Sequence, residues 1–249
     1  MFKYFSGLFS FLSLGLLSCK NDSNTLFTSL NKNTTGINFQ NTFFDDGPLN
    51  VANYIYFYNG GGVAIGDINN DGLQDILFTG NMVKNRLFLN KGNFEFEDIT
   101  TRSGIADKQG WCTGATMADI NGDGKLDIYI CRSADINPKM RANLLFINNG
   151  DLTFSEKGAE YGLADAGYST QAAFLDYDKD GDLDCFIINH SLQKYTAGVQ
   201  EKPELRKQHS AASASKLFRN DSGHFTDVTD AAGITFIQKK AVFNHVAGK

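Results

Sequence analysis

The sequence predicts an all-β protein assembled from repeated multi-stranded units. Three observations carry that prediction. Glycine is abundant at 25 residues and proline scarce at 3, a composition suited to tight turns between short strands. Phenylalanine (21) and tyrosine (9) are plentiful, and both favour pleated, half-buried positions. Most tellingly, one Asp-rich pattern of nine residues occurs three times: Asp67-Ile-Asn-Asn-Asp-Gly-Leu-Gln-Asp75, Asp119-Ile-Asn-Gly-Asp-Gly-Lys-Leu-Asp127 and Asp176-Tyr-Asp-Lys-Asp-Gly-Asp-Leu-Asp184.

The starts of these segments lie 52 and 57 residues apart, about the size of one blade of a β-propeller. Short apolar runs flank each one: Gly62 to Gly66 and Ile76 to Phe78, Ala115 to Ala118 and Ile128 to Ile130, Ala172 to Leu175 and Cys185 to Ile188. Runs of this length are too short for helices, so the Asp clusters are placed in hairpin loops. A third strand follows in each unit as Leu87-Phe-Leu-Asn90, Leu145-Phe-Ile-Asn148 and Leu217-Phe-Arg-Asn220. A fourth is marked by Phe96, Phe154 and Phe225, each eight residues before Gly104, Gly162 and Gly233.

Connector lengths divide the unit into two kinds of link. The distance from Asn90 to Asp119 is 29 residues and from Asn148 to Asp176 is 28, so this link belongs to the scaffold. The link from Asp75 to Leu87, Asp127 to Leu145 and Asp184 to Leu217 grows from 12 to 18 to 33 residues, as expected of loops on one face that are free to lengthen and carry binding. The longest, Ser191 to Lys216, sets Lys194, Lys202, Arg206, Lys207 and Lys216 against Glu201 and Glu204 and reads as a solvated loop, with a recognition loop or lid as the sharper alternative.

The Asp segments carry the chemistry. Hard cations such as calcium take oxygen ligands from alternate loop positions, with a glycine at the sixth to permit the turn. The candidate ligands are Asp67, Asn69, Asp71 and Asp75; Asp119, Asn121, Asp123 and Asp127; Asp176, Asp178, Asp180 and Asp184. Leu73, Lys125 and Asp182 at the seventh position would offer backbone carbonyls. Turn chemistry alone accounts for one such loop, but converging three or four carboxylates three times without a cation is electrostatically costly. An EF-hand is excluded because its closing glutamate would fall on Phe78, Ile130 and Ile187.

The run from Gly62 to Ile76 resembles the FG-GAP/VCBS repeat of integrin-α-type β-propellers, and the match recurs three times. The arrangement is also similar to the N-terminal part of bacterial cartilage-acidic-protein-like (ASPIC/UnbV) proteins, although no segment resembles their later domain. The resemblance covers residues 26–234 and implies blades of four antiparallel strands with Ca2+ in each hairpin loop.

Only three Asp loops are present, whereas closed propellers use 4 to 8 blades. A further 28 or 29 residues beyond Asn220 reach Gly248 or Lys249, and the stretch from Phe243 does not match the strand that should lead there. The expectation is an incomplete propeller with an open edge and a divergent tail over 235–249. Thr35-Gly36-Ile37 reads as the end of a preceding half-repeat.

The N-terminus adds an address. Lys3, the apolar run from Phe5 to Leu17 and Leu16-Leu17-Ser18-Cys19 read as a lipoprotein signal over 1–18, with Cys19 lipidated and 19–25 a tether. By analogy with such lipoproteins, Lys20 after the cysteine points to the outer membrane. Of the remaining cysteines, Cys112 and Cys131 have the option of pairing across one hairpin, but three small buried hydrophobes, Cys185 included, is the favoured reading.

A net charge of −5 with scattered basic residues gives no support to nucleic-acid binding. Gly-x-Ser-x-Gly, His-Glu-x-x-His and phosphate-binding glycine loops are absent from the sequence, which argues against an enzyme; of four scattered histidines, His190, just after a predicted strand, is the one to watch. The sequence therefore reads as a calcium-binding, membrane-anchored adhesion or binding module for a protein or glycan. The alternatives are the non-catalytic part of a larger surface enzyme, or a fragment without independent function.

Overall fold

The computed structural model describes residues 26–107, 110–135, 137–191 and 211–234. The signal segment, Cys19, the tether, most of the longest connector and the 235–249 tail lie outside them. All the described strands belong to one compact unit, Lys32–Lys249. Residues 26–31 belong to the preceding unit and present Leu26 and Phe27 to solvent.

Twelve described strands form three four-stranded antiparallel sheets, each made from consecutive strands in chain order. The first blade contains β1 (Val63–Gly66), β2 (Asp75–Phe78), β3 (Arg86–Asn90) and β4 (Phe96–Asp98). The second contains β5 (Trp111–Ala118), β6 (Asp127–Ser133), β7 (Leu144–Asn148) and β8 (Phe154–Glu156). The third contains β9 (Ser169–Leu175), β10 (Asp184–Asn189), β11 (Lys216–Asn220) and β12 (Phe225–Asp227). These are the blades expected of a propeller, three in number among the described residues and without closure.

Each hairpin register is set by the Asp loop, pairing Gly66 with Asp75, Ala118 with Asp127, and Leu175 with Asp184. The first strands of successive blades are neighbours, as hydroxyls of β5 show: Thr113 Oγ1 donates to the Ser169 carbonyl at 2.8 Å and Thr116 Oγ1 to that of Ala172 at 2.7 Å. Because both faces of the middle blade are covered, its two central strands carry continuous apolar runs, Ile128 to Cys131 and Leu144 to Ile147, and all seven residues of β6 are buried. One core joins Leu77 and Leu87 of the first blade to Ile128, Ile130 and Phe146 of the second. A second core joins Tyr129 and Leu145 to Cys185, Ile187 and Phe218 of the third.

Cys112, Cys131 and Cys185 are all buried free thiols. Cys112 lies opposite Arg132 across the β5–β6 pair, not opposite Cys131, and the three serve as small apolar residues.

The constant-length link is a one-turn helix and a glycine joint. After β4 and β8 come α2 (Thr100–Ser103) and α3 (Gly158–Tyr161), closed by left-handed Gly104 and Gly162. The glycine of one blade presses on the backbone of the next: a β-carbon on Gly162 would lie 2.4 Å from the Phe225 carbonyl oxygen, and one on Gly104 3.3 Å from that of Phe154. The same joint appears before the first blade, where α1 (Lys32–Thr35) ends in Gly36, 2.4 Å from the Phe96 oxygen by the same measure. Gly162→Ala combines a left-handed backbone with a collision against rigid main chain and is expected to cost about 2–4 kcal/mol. Gly104→Ala, with nearly ordinary clearance, should cost about 1 kcal/mol. Urea denaturation of the two variants checks the difference; equal losses would dismiss the joint.

Candidate functional site

The three Asp loops share one backbone path. Positions four and six are left-handed in each: Asn70 and Gly72, Gly122 and Gly124, Lys179 and Gly181. Side chains hold this path. In the first loop Asp67 accepts from Asp71 N–H at 3.1 Å and Gly72 N–H at 2.7 Å, and Asp71 accepts from Leu73 N–H at 2.8 Å. In the second, Asp119 accepts from Asp123 and Gly124 N–H at 3.0 and 2.8 Å, while Asn121 accepts from Asp123 N–H. Asn69 donates to Asp71 at 2.9 Å, and Asn70 bridges the first loop to the second by donating to the Gly124 carbonyl.

The ninth-position aspartates hold a different place from the others. Asp75, Asp127 and Asp184 are fully buried, and each fastens two backbone N–H groups. Asp127 accepts from Asn148 N–H at 2.9 Å and Ile120 N–H at 3.0 Å. Asp75 does so with Asn90 and Ile68, and Asp184 with Asn220 and Tyr177. The Leu-Phe-x-Asn motif completes the staple. Asn148 Nδ2 donates to the Leu126 carbonyl and its Oδ1 accepts from Gly150 N–H; Asn90 and Asn220 repeat both bonds. Loop, third strand and following turn are therefore locked as one unit.

Burial, outweighing those two N–H bonds, pushes the Asp127 carboxyl up to about 6, with the charges of Asp123 and Asp119 adding to the rise. Asp75 shifts in the same direction for the same cause.

The third loop departs from the other two. Oxygens of Asp176, Asp178 and Asp184 lie within 4.8 Å of one another, a group of three that offers itself to a metal ion among the described residues. Asp176 accepts from Lys179 N–H, one residue earlier than its counterparts do. Asp180 accepts from Asp182 N–H at 3.1 Å. Asp182 accepts from Ser222 N–H, but its Oδ1 is buried with no donor facing it. Desolvation first, then the charge of Asp180, holds the Asp182 carboxyl above the ordinary range, and Asp178 is raised likewise by desolvation and by Asp180. These residues fit a cation, since an orphaned carboxylate oxygen beside converging carboxylates is relieved by positive charge. In the second loop a lysine already supplies some: Lys125 Nζ lies 2.9 Å from Asp123 Oδ2 and holds that carboxyl low.

At the opposite end of the strands is a cluster the repeat pattern gave no sign of. His190 Nε2 lies 2.9 Å from Ser133 Oγ and 3.1 Å from the Tyr54 hydroxyl, with the Tyr56 ring 4.1 Å from the imidazole. Tyr54, Phe57 and Trp111 form a small core there, and Arg141 stacks over Tyr168 at 4.2 Å. Burial holds the His190 imidazole below its usual range. Ser133 is fully buried, and this cluster ties the second and third blades to the 49–57 segment.

Comparison with known proteins follows the same lines. Residues 67–130 match the FG-GAP-like repeat. The chain is 33% identical over 133 residues to cartilage acidic protein 1 of Xenopus tropicalis, covering 53% of this chain and 20% of that protein. The mouse and human proteins of the same name are 29% and 28% identical over 143 and 141 residues, covering 55% and 56% of this chain and 21% of each. The chain thus aligns with about a fifth of the length of these relatives.

Proposed function

We propose that this chain of FG-GAP-like blades is a calcium-binding module of the cell envelope, anchored to the outer membrane through a lipidated Cys19, whose connector face receives a protein or glycan. The observation that carries the calcium reading is the third loop, where Asp176, Asp178 and Asp184 converge and Asp182 leaves a buried oxygen without a donor. Calcium there would supply positive charge at the loop tip and so fix the loop on the blade. Asp67, Asn69 and Asp71, and Asp119, Asn121 and Asp123, are the corresponding donors in the other two loops. The module binds rather than catalyses: its repeated chemistry is loop bracing, and the Ser133 and Tyr54 hydroxyls beside His190 are buried in a junction between blades.

Thermal melting of one preparation with calcium, with magnesium and after metal stripping tests the reading, together with calorimetric counting of sites. A cation held only by the folded form adds about 2.7 kcal/mol per independent site at ~100 Kd, so stripping should lower Tm clearly. Asp178→Ala should weaken calcium binding more than Asn69→Ala. Lys125→Ala should tighten the second site, because the ammonium no longer competes for Asp123. A melting curve unmoved by stripping, with no calcium found by elemental analysis, removes the calcium reading. The anchor is tested separately: Cys19→Ala should abolish fatty-acid labelling and membrane retention, and equal labelling of variant and parent would defeat it.

A further inference from the structure

We infer that the open faces of the first and third blades dock onto each other between two copies of this chain, head to tail. The internal repeat specifies what such a face requires. On the second blade, the side turned to the third carries Ala118, Tyr129 and Cys131, packed in one core with Ala172, Cys185 and Ile187. By position relative to the Asp loops, the third blade presents Leu175, Phe186 and Ile188 on the same side. No described blade covers them, and Leu175 is 42% and Ile188 46% exposed.

The complementary face is open on the first blade. Val63, Ile76 and Phe78 stand where Ala172, Cys185 and Ile187 stand in the third blade and Ala115, Ile128 and Ile130 in the second. Ala115 and Ala172 are 6% and 3% exposed, whereas Val63 is 53% and its strand neighbour Ile65 61% exposed. Phe39 stacks on Phe78 at 5.1 Å and shields part of this face, leaving Val63 and Ile65 uncovered. One end of the chain thus offers the apolar surface that the other end lacks, and both interior interfaces show the two kinds of surface packing together.

The occupant is a second copy because that contact continues an interface the chain already makes twice within itself. The contact is heterologous, one blade's back on another's front. The glycine joint sets its strength. Gly36 already sits on the Phe96 carbonyl, while Gly233 has nothing within 4 Å, so an incoming Gly233 turn competes with the resident one and association is reversible.

Sedimentation of the full chain in mild detergent, over a range of concentrations, provides the test. The expected result is a concentration-dependent species of twice the 27.4 kDa chain mass. Ile188→Glu should abolish it by spoiling the back of the third blade, and Ile65→Glu should do so from the front of the first. Both positions are exposed, so circular dichroism and Tm should match the parent. An equimolar mixture of the two variants should regain association, since each carries the intact face that the other lacks. A monomer at every concentration up to ~100 μM, variants that associate like the parent, or a mixture that stays monomeric would each overturn the inference.

Discussion

Asp127→Ala is expected to lower the stability of the metal-stripped protein by about 3–5 kcal/mol, while Asp67→Ala at the partly exposed start of the first loop should cost under about 1 kcal/mol. Asp127 is fully buried, and its removal orphans the N–H groups of Asn148 and Ile120 in a region closed to water. A buried donor left without a partner costs about 1–3 kcal/mol, and two are created together. Asp127→Asn, though isosteric, should cost nearly as much, because its amide would set a donor against one of the two N–H groups. Working without metal keeps this effect apart from any loss of cation binding. Urea denaturation measures it through the midpoint at unchanged slope. A loss below about 1 kcal/mol for Asp127→Ala would show that the staple is dispensable.

The blade pattern was legible in the sequence because it repeats. The hairpins around the Asp loops, the Leu-Phe-x-Asn strands and the constant link between blades all fall where the spacing placed them, since each is governed by local turn chemistry and by residues close in sequence. The work of Asp75, Asp127 and Asp184 was not legible. Spacing alone marks them as cation ligands, and only the third strand's return beside the loop shows that they hold its Asn N–H. The start of β5 at Trp111, four residues before the apolar run from Ala115, was hidden by a bulge that breaks the alternation. The Tyr54, Ser133 and His190 junction joins residues up to 136 positions apart, and no repeat links them. The glycine joints were visible as recurring Phe and Gly eight residues apart, but not their cause, which is contact with the backbone of the next blade.

The Asp127 carboxyl should make the metal-stripped protein less stable at pH 7.5 than near pH 4.5, the reverse of what ion-paired carboxylates produce. His190 and Asp123, both held low, pull the other way, so the contribution is read as the difference in pH trend between the parent and Asp127→Asn. The Asp127 carboxyl is raised to about 6 in the fold, chiefly by burial, against about 3.9 in an unfolded chain. Between those values the folded state holds a proton that the unfolded state has released, so stability is fully present below ~4 and is lost as the pH rises through ~6. For this group the loss is about 3 kcal/mol, from roughly two pKa units at 1.36 kcal/mol each. Asp75, raised by the same desolvation, pulls in the same direction, as do the raised carboxyls of Asp178 and Asp182 in the third loop. Calcium bound as proposed would act where the proton no longer does, because positive charge at the loop tip would offset the repulsion that Asp119 and Asp123 exert on ionised Asp127. The increase in Tm on adding calcium should therefore be large at pH 7.5 and small at pH 4.5, where protons compete for the same carboxylates. Melting curves of the parent and of Asp127→Asn at four pH values, with calcium and after dialysis against chelator, give both trends. If Asp127→Asn follows the same pH trend as the parent, the buried carboxylate is held ionised by its N–H partners and desolvation is not the dominant influence on it.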